Sequence, residues 1–310
     1  MGAGHALVTG GAGFIGSHLT EALLARRRSV RVLDDFSSGR REFLPDHPNL
    51  QVLAGDLRDS ALLERAVTGV DVIFHQAALR SVPKSIDDPF AYHDVNVTGT
   101  MRLLLAARAA GVRRLVFASS SAVYGNQPVL PLREDMRPQP ISPYGASKLI
   151  GEHYCANFAL HYGLETVSLR YFNVFGPRQD PQSEYAAVVA RFIQAALRGE
   201  PLEVHGDGKQ TRDFTYVANV VEANLAAAEA PGVGGEVFNV ACGDRLSVLD
   251  IARGIEEILG RRLSARHTPP RAGDVRDTQA DVTRARERLR YTPSISFTEG
   301  LRRTVAAFSA

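Results

Sequence analysis

Short apolar runs alternate with stretches of helical periodicity through the first half of this chain, and that alternation restricts the fold more than any other feature. The runs are Ala6–Thr9, Val30–Leu33, Gln51–Ala54, Val72–Phe74, Leu115–Ala118 and Thr166–Leu169. They are rich in Val, Ile, Leu and Phe, and most do not alternate with polar residues, which predicts strands buried on both faces of a parallel sheet. Between the first two, Ile15, Leu19, Ala22 and Leu23 recur at helical spacing. Asp59 is placed to cap a helix whose buried face holds Leu62, Leu63, Ala66 and Val67, and a long helix runs through Val95 to Ala110, ended by Gly111. Alternating strand and helix predict an α/β fold with an open, doubly wound parallel sheet.

The pattern breaks after Asn173, where Gly176, Pro177 and Pro181 interrupt it. A helix is expected near Ala187–Leu197, and Val237–Val240 reads as one more strand returning to the sheet. From Ser247 the chain is helical, then loop-like around Pro269–Gly273, then helical again. The expected division is residues 1–174 with 213–241 as one domain, and residues 175–212 with 242–310 as a smaller, discontinuous C-terminal domain over the sheet's edge. A length of 310 residues suits one large or two associated domains.

Composition removes several classes of function. A net charge of +2 is too near neutral for nucleic acid or an anionic membrane to be the main partner. Cys155 and Cys242 stand alone, without the clustered ligands of a metal site or the pairing of a disulfide framework, so free thiols in a reducing compartment are expected. The N-terminus lacks a signal-peptide pattern, Ala6 stands where myristoylation after Gly2 needs Ser or Thr, and no apolar run reaches membrane length. These readings place the protein in the cytoplasm. Only Lys84, Lys148 and Lys209 are lysines among 36 basic residues. A coding bias toward Arg explains this, but a surviving Lys then marks a position where Arg cannot serve.

The first strand runs directly into Thr9-Gly10-Gly11-Ala12-Gly13-Phe14-Ile15-Gly16. Gly10, Gly13 and Gly16 fall three apart, and a helix follows. Glycine permits a tight turn and close approach of a pyrophosphate, while the helix N-terminus supplies N–H donors and the positive end of its dipole. Glycine triplets occur in ordinary turns, but strand, loop and helix here come in the order that dinucleotide binding requires. Asp34 ends the second strand about 20 residues on, where a carboxylate accepts from an adenosine ribose and repels a 2′-phosphate, so NAD is expected rather than NADP. The alternative is a carboxylate that caps the strand-to-loop turn. Asp56, in Gly55-Asp56-Leu57, either holds the adenine amino group or starts a loop.

Ser142 and Pro143 open a helix that carries Tyr144 and Lys148 four residues apart on one face. An unperturbed phenol, with a pKa near ~10, is a poor base, but a neighbouring ammonium favours the phenolate. Such a pair also arises by chance. The dinucleotide loop upstream, the scarcity of lysine and the polar segment Ser119-Ser120-Ser121 at the end of the fifth strand favour chemistry. A serine there can bond a substrate oxygen and pass a proton to Tyr144, or it can belong to an ordinary polar loop.

Together these segments resemble the extended short-chain dehydrogenase/reductase family, and within it the UDP-hexose 4-epimerases. The resemblance spans nearly the whole chain: Thr9–Gly16, His75-Gln76-Ala77-Ala78, Asn96–Thr100, Ser119–Gly125, Tyr144–Lys148, Leu169–Gly176, Thr211-Arg212-Asp213-Phe214 and Arg271-Ala272-Gly273-Asp274. It implies a Rossmann-type domain holding NAD, a UDP-sugar substrate and inversion at C4 through a transient 4-keto sugar. Tyr144 would be the base, Lys148 its tuner and Ser120 the proton relay. The cofactor would meet Gly10, Gly13, Phe14, Ile15, Gly16, Asp34, Asp56, Leu57, Gln76, Ala77, Ala78, Asn96, Tyr171, Tyr144 and Lys148. The substrate would meet Ser81, Val82, Ser120, Ser121, Tyr144, Asn173, Val204, Arg212, Arg271, Asp274 and Thr278. Arg212 and Arg271 would clamp the diphosphate in bidentate forks, and Asp274 would accept from the uridine ribose. No metal is implied. Phe214 departs from the tyrosine that many relatives carry. The family usually dimerises through helices starting near Phe90 and Tyr144, which implies a homodimer.

Sister enzymes divert the keto sugar. Dehydratases place Asp and Glu after the Ser120 position and decarboxylases a Glu, whereas Ser121 and Ala122 stand here, so epimerisation is favoured over 4,6-dehydration. A uronic-acid substrate, for a 4-epimerase or decarboxylase, remains open. A non-catalytic dinucleotide sensor on the same fold has no need of both Tyr144 and Lys148. Thr278 falls where galactose-type enzymes can carry a bulky Tyr beside the C2 substituent, and Ser81-Val82-Pro83 resembles the form preferring N-acetylated sugars. Acceptance of UDP-GlcNAc/UDP-GalNAc is expected, with UDP-Glc/UDP-Gal also open.

Overall fold

The computed structural model of the protein describes residues 5–181, 188–269 and 276–309. The first half runs β1 (His5–Thr9), α1 (Phe14–Ala25), β2 (Ser29–Asp34), β3 (Leu50–Ala54), α2 (Ser60–Val67), β4 (Val70–His75), α3 (Val82–Asp87), α4 (Pro89–Tyr92), α5 (Gly99–Ala109), β5 (Arg114–Ser120), α6 (Pro143–Tyr162) and β6 (Glu165–Tyr171). All six strands expected in this half are present.

Seven strands form one sheet in the order β11–β6–β5–β4–β1–β2–β3, where β11 is Glu236–Val240, and every pairing in it is parallel. Successive side chains of a strand point to opposite faces, and here both faces are covered. Ala6 and Val8 of β1 belong to a core that includes Leu19 and Leu23 of α1, and Val220 and Ala223 of the helix Val217–Glu229. Leu7, between them, packs with Leu62 and Leu63 of α2, Leu103 of α5 and Phe158 of α6. This is the Rossmann-type, doubly wound arrangement. The winding reverses between β1 and β4, so a crevice opens at their carboxyl ends, the usual ligand position in such sheets.

The remaining elements are β7 (Val174–Phe175), α7 (Val188–Arg198), β8 (Leu202–His205), β9 (Thr211–Arg212), β10 (Thr215–Tyr216), α8 (the helix Val217–Glu229), β11, β12 (Leu246–Ser247), α9 (Val248–Leu259), β13 (Ala265–Thr268), α10 (Thr283–Leu289) and α11 (Phe297–Ser309). Short ladders β7–β10, β9–β12 and β8–β13 tie this half together. Its own core gathers Phe175, Phe192, Val204, Ile251 and Leu301.

Capping expectations hold in detail. The carboxylate of Asp59 accepts from the Leu62 N–H at 3.0 Å, and Ser142 Oγ accepts from the Gly145 N–H at 3.1 Å. One element differs. The expected continuous helix through Val95 begins as a wide π-type turn over His93–Thr98 before α5 starts at Gly99. Its Asn96 side chain reaches back to the loop after β4, a use of the wide turn that periodicity does not reveal. Among the described residues, no helix is long and apolar enough to cross a membrane.

Candidate active site

Four strand ends converge on the crevice: Thr9, His75, Ser120 and Tyr171, with Thr9 opposite His75 and Ser120 opposite Tyr171 in register. At the first, the chain turns through Gly10, whose φ is +67°. A Cβ there would lie 2.7 Å from the Ala77 amide nitrogen, so only glycine lets the two loops meet. Helix α1 follows with Gly13 at its N-cap, no side-chain cap and no acidic residue in its first turn. Its leading amides, those of Phe14 and Ile15 among them, have no intrahelical partner, and the dipole end is positive. An uncapped, glycine-walled helix start is a cradle that fits a dinucleotide pyrophosphate.

Asp34 is buried against this loop. Its Oδ2 accepts from Ala12 N–H at 2.8 Å and its Oδ1 from Phe36 N–H at 2.9 Å. Burial raises its pKa, and the two backbone donors oppose that rise. Asp34 thus caps the turn, and each carboxylate oxygen keeps a further lone pair. The Asp56 carboxylate accepts from the Arg58 backbone at 2.8 Å and pairs with the Arg58 guanidinium at 2.6 Å, while remaining one-third exposed. Leu57 is buried in the sheet's second core, so its side chain packs.

Several other expected cofactor residues bind the scaffold. The Asn96 amide brackets the Leu79 backbone, accepting at 2.8 Å and donating at 2.9 Å, and also donates to Ser147 Oγ at 3.0 Å. Gln76 donates to the Tyr171 hydroxyl at 3.0 Å and to Asn224 Oδ1 at 3.1 Å, and Asn224 donates back to Tyr171. The Ala77 N–H donates to Thr9 Oγ1 at 3.3 Å, and that hydroxyl lies 2.7 Å from His75 Nδ1. Ala78 follows on this half-buried loop.

Helix α6 brings Tyr144 and Lys148 to the end of β5. The Tyr144 hydroxyl is hydrogen-bonded with Ser120, whose Oγ also accepts from Ala122 N–H at 3.1 Å. Tyr92 stands edge-on to the Tyr144 ring, 6.4 Å between centroids. Lys148 is the buried lysine of the three, with Lys84 and Lys209 exposed; its Nζ donates to the Ala118 carbonyl at 2.8 Å and lies 6.0 Å from the Tyr144 ring centroid. Burial raises the Tyr144 pKa, and Ser120 and then the Arg80 guanidinium oppose that rise. Burial likewise brings Lys148 down to about 8.

The substrate-side residues are divided. Ser121 begins the short 3-10 turn after Ser120. Ser81 Oγ caps α3 by accepting from Lys84 N–H at 3.2 Å, while its own N–H donates to the Tyr92 hydroxyl, and Val82 is the first residue of that helix. Asn173, at φ +32°, donates to the Asp213 carbonyl at 3.1 Å. The Arg212 guanidinium donates to the Thr211 and Arg276 carbonyls. Thr278 is buried, and its hydroxyl has no partner among the described residues. Val204 is fully buried in the C-terminal core and exposes no surface to a ligand, which corrects the expectation of a substrate contact in this conformation. Arg271 and Asp274 lie outside the described residues.

Sequence reasoning missed Arg80, Tyr92, Asn224, Asp213 and the buried Glu152–Arg170 pair. Glu152 left a readable trace, since it continues the four-residue spacing of Tyr144 and Lys148. Asp213 is fully buried and accepts from the Cys242, Gly243 and Ala280 amides at 2.9–3.1 Å, joining three chain segments beside Arg212.

A dinucleotide cradle and a Tyr–Ser pair beside a buried Lys on one doubly wound sheet define a nicotinamide-dependent enzyme of the short-chain type. Residues 6–241 match the NAD dependent epimerase/dehydratase family, and the chain belongs to it. It is 43% identical to a UDP-glucose 4-epimerase of Mycolicibacterium smegmatis, over 97% of each chain. Among solved structures it resembles a UDP-N-acetylglucosamine 4-epimerase from Methanobrevibacter ruminantium M1 in complex with UDP-N-acetylmuramic acid, with TM-score 0.96, 40% identity and coverage of 100% and 99% of the two chains. It also resembles the UDP-glucose 4-epimerase of Thermotoga maritima with UDP-glucose, with TM-score 0.94, 40% identity and 98% coverage of both.

Proposed function

We propose that the protein is an NAD-dependent UDP-hexose 4-epimerase that acts through a transient 4-keto sugar. The observation that carries this reading is the Tyr144–Ser120 hydrogen bond at the carboxyl end of β5, one helical turn from the buried Lys148. The epimerases to which the chain is 40–43% identical support the substrate class.

Bound NAD supplies a reversible hydride acceptor. The chain's own groups do the rest. The amides after Gly13 hold the pyrophosphate, Asp34 the adenosine ribose and Lys148 the nicotinamide ribose, while Ala77 and Ala78 line the nicotinamide. Asp56, Leu57, Gln76, Asn96 and Tyr171 shape that pocket, largely through backbone and packing. Tyr144 takes the proton of the C4 hydroxyl with Ser120 as relay, and returns it when the opposite face is reduced. Burial holds the phenol high until a cation adjoins it, so Arg80, Lys148 and the cationic ring must together favour the phenolate. Arg212 and Arg271 grip the diphosphate, with Asn173 beside it and Asp274 on the uridine ribose, leaving the sugar free to turn over between Ser81, Val82, Ser121 and Thr278.

We read residues 1–174 with 213–241 as the cofactor half and residues 175–212 with 242–310 as the nucleotide-sugar half. Exposed apolar side chains on α3–α6, among them Phe90 and Leu160 at 76% exposure each, support a homodimer. Two free thiols suit a cytoplasmic enzyme. The buried, small Thr278 favours tolerance of an N-acetyl group. Incubation with UDP-Glc and UDP-GlcNAc, scored for the C4 epimer of each, tests the proposal; formation of neither epimer defeats it. Thr278→Tyr should depress turnover of the acetylated pair selectively, and an equal loss on both pairs defeats the pocket reading.

A further inference from the structure

The face of α6 that carries Tyr144 and Lys148 continues to a third polar residue, Glu152. All three reach consecutive residues at the end of β5. Tyr144 meets Ser120, Lys148 Nζ donates to the Ala118 carbonyl at 2.8 Å, and Glu152 Oε1 accepts from Ser119 Oγ. The carboxylate is only 4% exposed and is paired with the equally buried Arg170 of β6, whose Nε and Nη2 donate at 2.9 and 2.7 Å. Arg170 in turn lies over the Tyr124 ring, 4.6 Å from its centroid, and the Tyr124 hydroxyl donates to Asn239 of β11 at 2.7 Å.

A buried ion pair is costly to assemble and is weak evidence for stability by itself. This one lies one turn beyond the lysine on which the proposed chemistry depends. We propose that Glu152, held by Arg170, is a positioning residue that keeps Lys148 charged and fixes the Ser119–Ser120 strand end against Tyr144. The proposal rests on the functional reading of Lys148 and Tyr144, but part of its test does not.

The groups facing Lys148 make Glu152 decisive. Burial pulls Lys148 down to about 8, opposed by Cys155 and Glu152 on its own helix. Burial pushes the Cys155 thiol up to about 12, so it carries no charge at neutral pH. His75, from β4, is brought to about 3 by burial and then by Lys148, and is neutral as well. Tyr144 is held above its ordinary value. That leaves the Glu152 carboxylate, one helical turn along the same face, as the anion that favours the ammonium, with Arg170 holding the carboxylate.

The three lysines make a direct measurement practicable. Lysine labelled with ¹³C at Cε gives three signals, of which Lys148 is assigned by its loss in Lys148→Ala. In Glu152→Gln, without added NAD, the Lys148 midpoint should move to lower pH, while those of Lys84 and Lys209 stay in place. The alkaline limb of kcat should move the same way. Above the midpoint, kcat should fall about tenfold for every pH unit by which that midpoint drops, with KM for the UDP-sugar little changed. Because Glu152→Gln strands a buried guanidinium, Glu152→Gln/Arg170→Met is the companion variant. It should recover the melting temperature but retain the lowered Lys148 midpoint. An unmoved Lys148 midpoint in either folded variant overturns the proposal, as does a double variant with wild-type kcat and pH limb. A protein without epimerase activity whose Lys148 midpoint still falls in Glu152→Gln overturns the functional reading and leaves the electrostatic one standing.

Discussion

At the scale of single residues, two groups carry opposite electrostatic burdens. Tyr144 is a phenol in a site that disfavours its ionised form, so its basicity has to be created by neighbouring cations. Tyr144→Phe keeps the ring and its packing against Tyr92 but removes the oxygen proposed to take the proton. It should lower kcat by about 10²–10⁴-fold, the range for general acid–base groups, with NAD affinity and melting temperature nearly unchanged; a smaller loss in a steady-state assay would assign the base elsewhere. His75 is buried without charge between Thr9 Oγ1 at 2.7 Å and Thr100 Oγ1 at 2.9 Å. Its folded pKa is brought to about 3 from an ordinary 6.5. Between those values the unfolded chain binds the proton that the folded chain refuses, so this group's contribution to stability is full above pH ~6.5 and falls as the pH drops toward ~3. His75→Gln, which keeps a donor and an acceptor, should flatten the acid limb of a denaturation series across that window. An unchanged slope would show that other groups dominate it.

At the scale of elements, the turn between β1 and α1 and the start of α6 do most to place the chemistry. Gly10→Ala would push a methyl onto the Ala77 backbone at a positive φ. NAD binding measured by calorimetry should be lost or reduced at least tenfold, and wild-type affinity would remove the cradle from the account. Asp59→Ala should cost only about 1 kcal/mol of stability in a denaturation series, the value of an N-cap. These elements were also the legible ones. Continuous apolar runs mark buried parallel strands, and Gly10, Gly13, Gly16, Ser142 and Pro143 announce their turns because backbone geometry demands those residue types. The π-type turn at His93–Thr98 was not legible, because Asn96 serves a loop 17 residues away. For the same reason, the roles of Arg80, Asp213 and Arg170 became visible only after folding: each acts on a partner set by tertiary contact. Asp56 and Val204 show the reverse case, where a motif position is readable but its side chain is engaged by Arg58 or by the core.

At the scale of the whole molecule, the proposed division sets the parallel sheet against a smaller C-terminal half. Fully buried Asp213 ties the two beside Arg212. The exposed apolar side chains of α3–α6 carry the assembly prediction: Phe90→Glu with Leu160→Glu should run as a monomer in sedimentation velocity while the wild type runs as a dimer, and a monomeric wild type would contradict the proposed interface. The sheet edge, the cofactor cradle and the Tyr–Ser–Lys set converge on one chemical event, removal and return of hydrogen at the same carbon of a sugar that never leaves the site. That event is accessible with UDP-glucose carrying deuterium at C4. Product UDP-galactose formed in ordinary water should retain the deuterium at C4, because the hydrogen is held by the bound cofactor and given back to the opposite face. UDP-galactose formed with loss of the label to solvent, or no UDP-galactose from the NAD-loaded protein under conditions where UDP-GlcNAc is also untouched, would contradict the account.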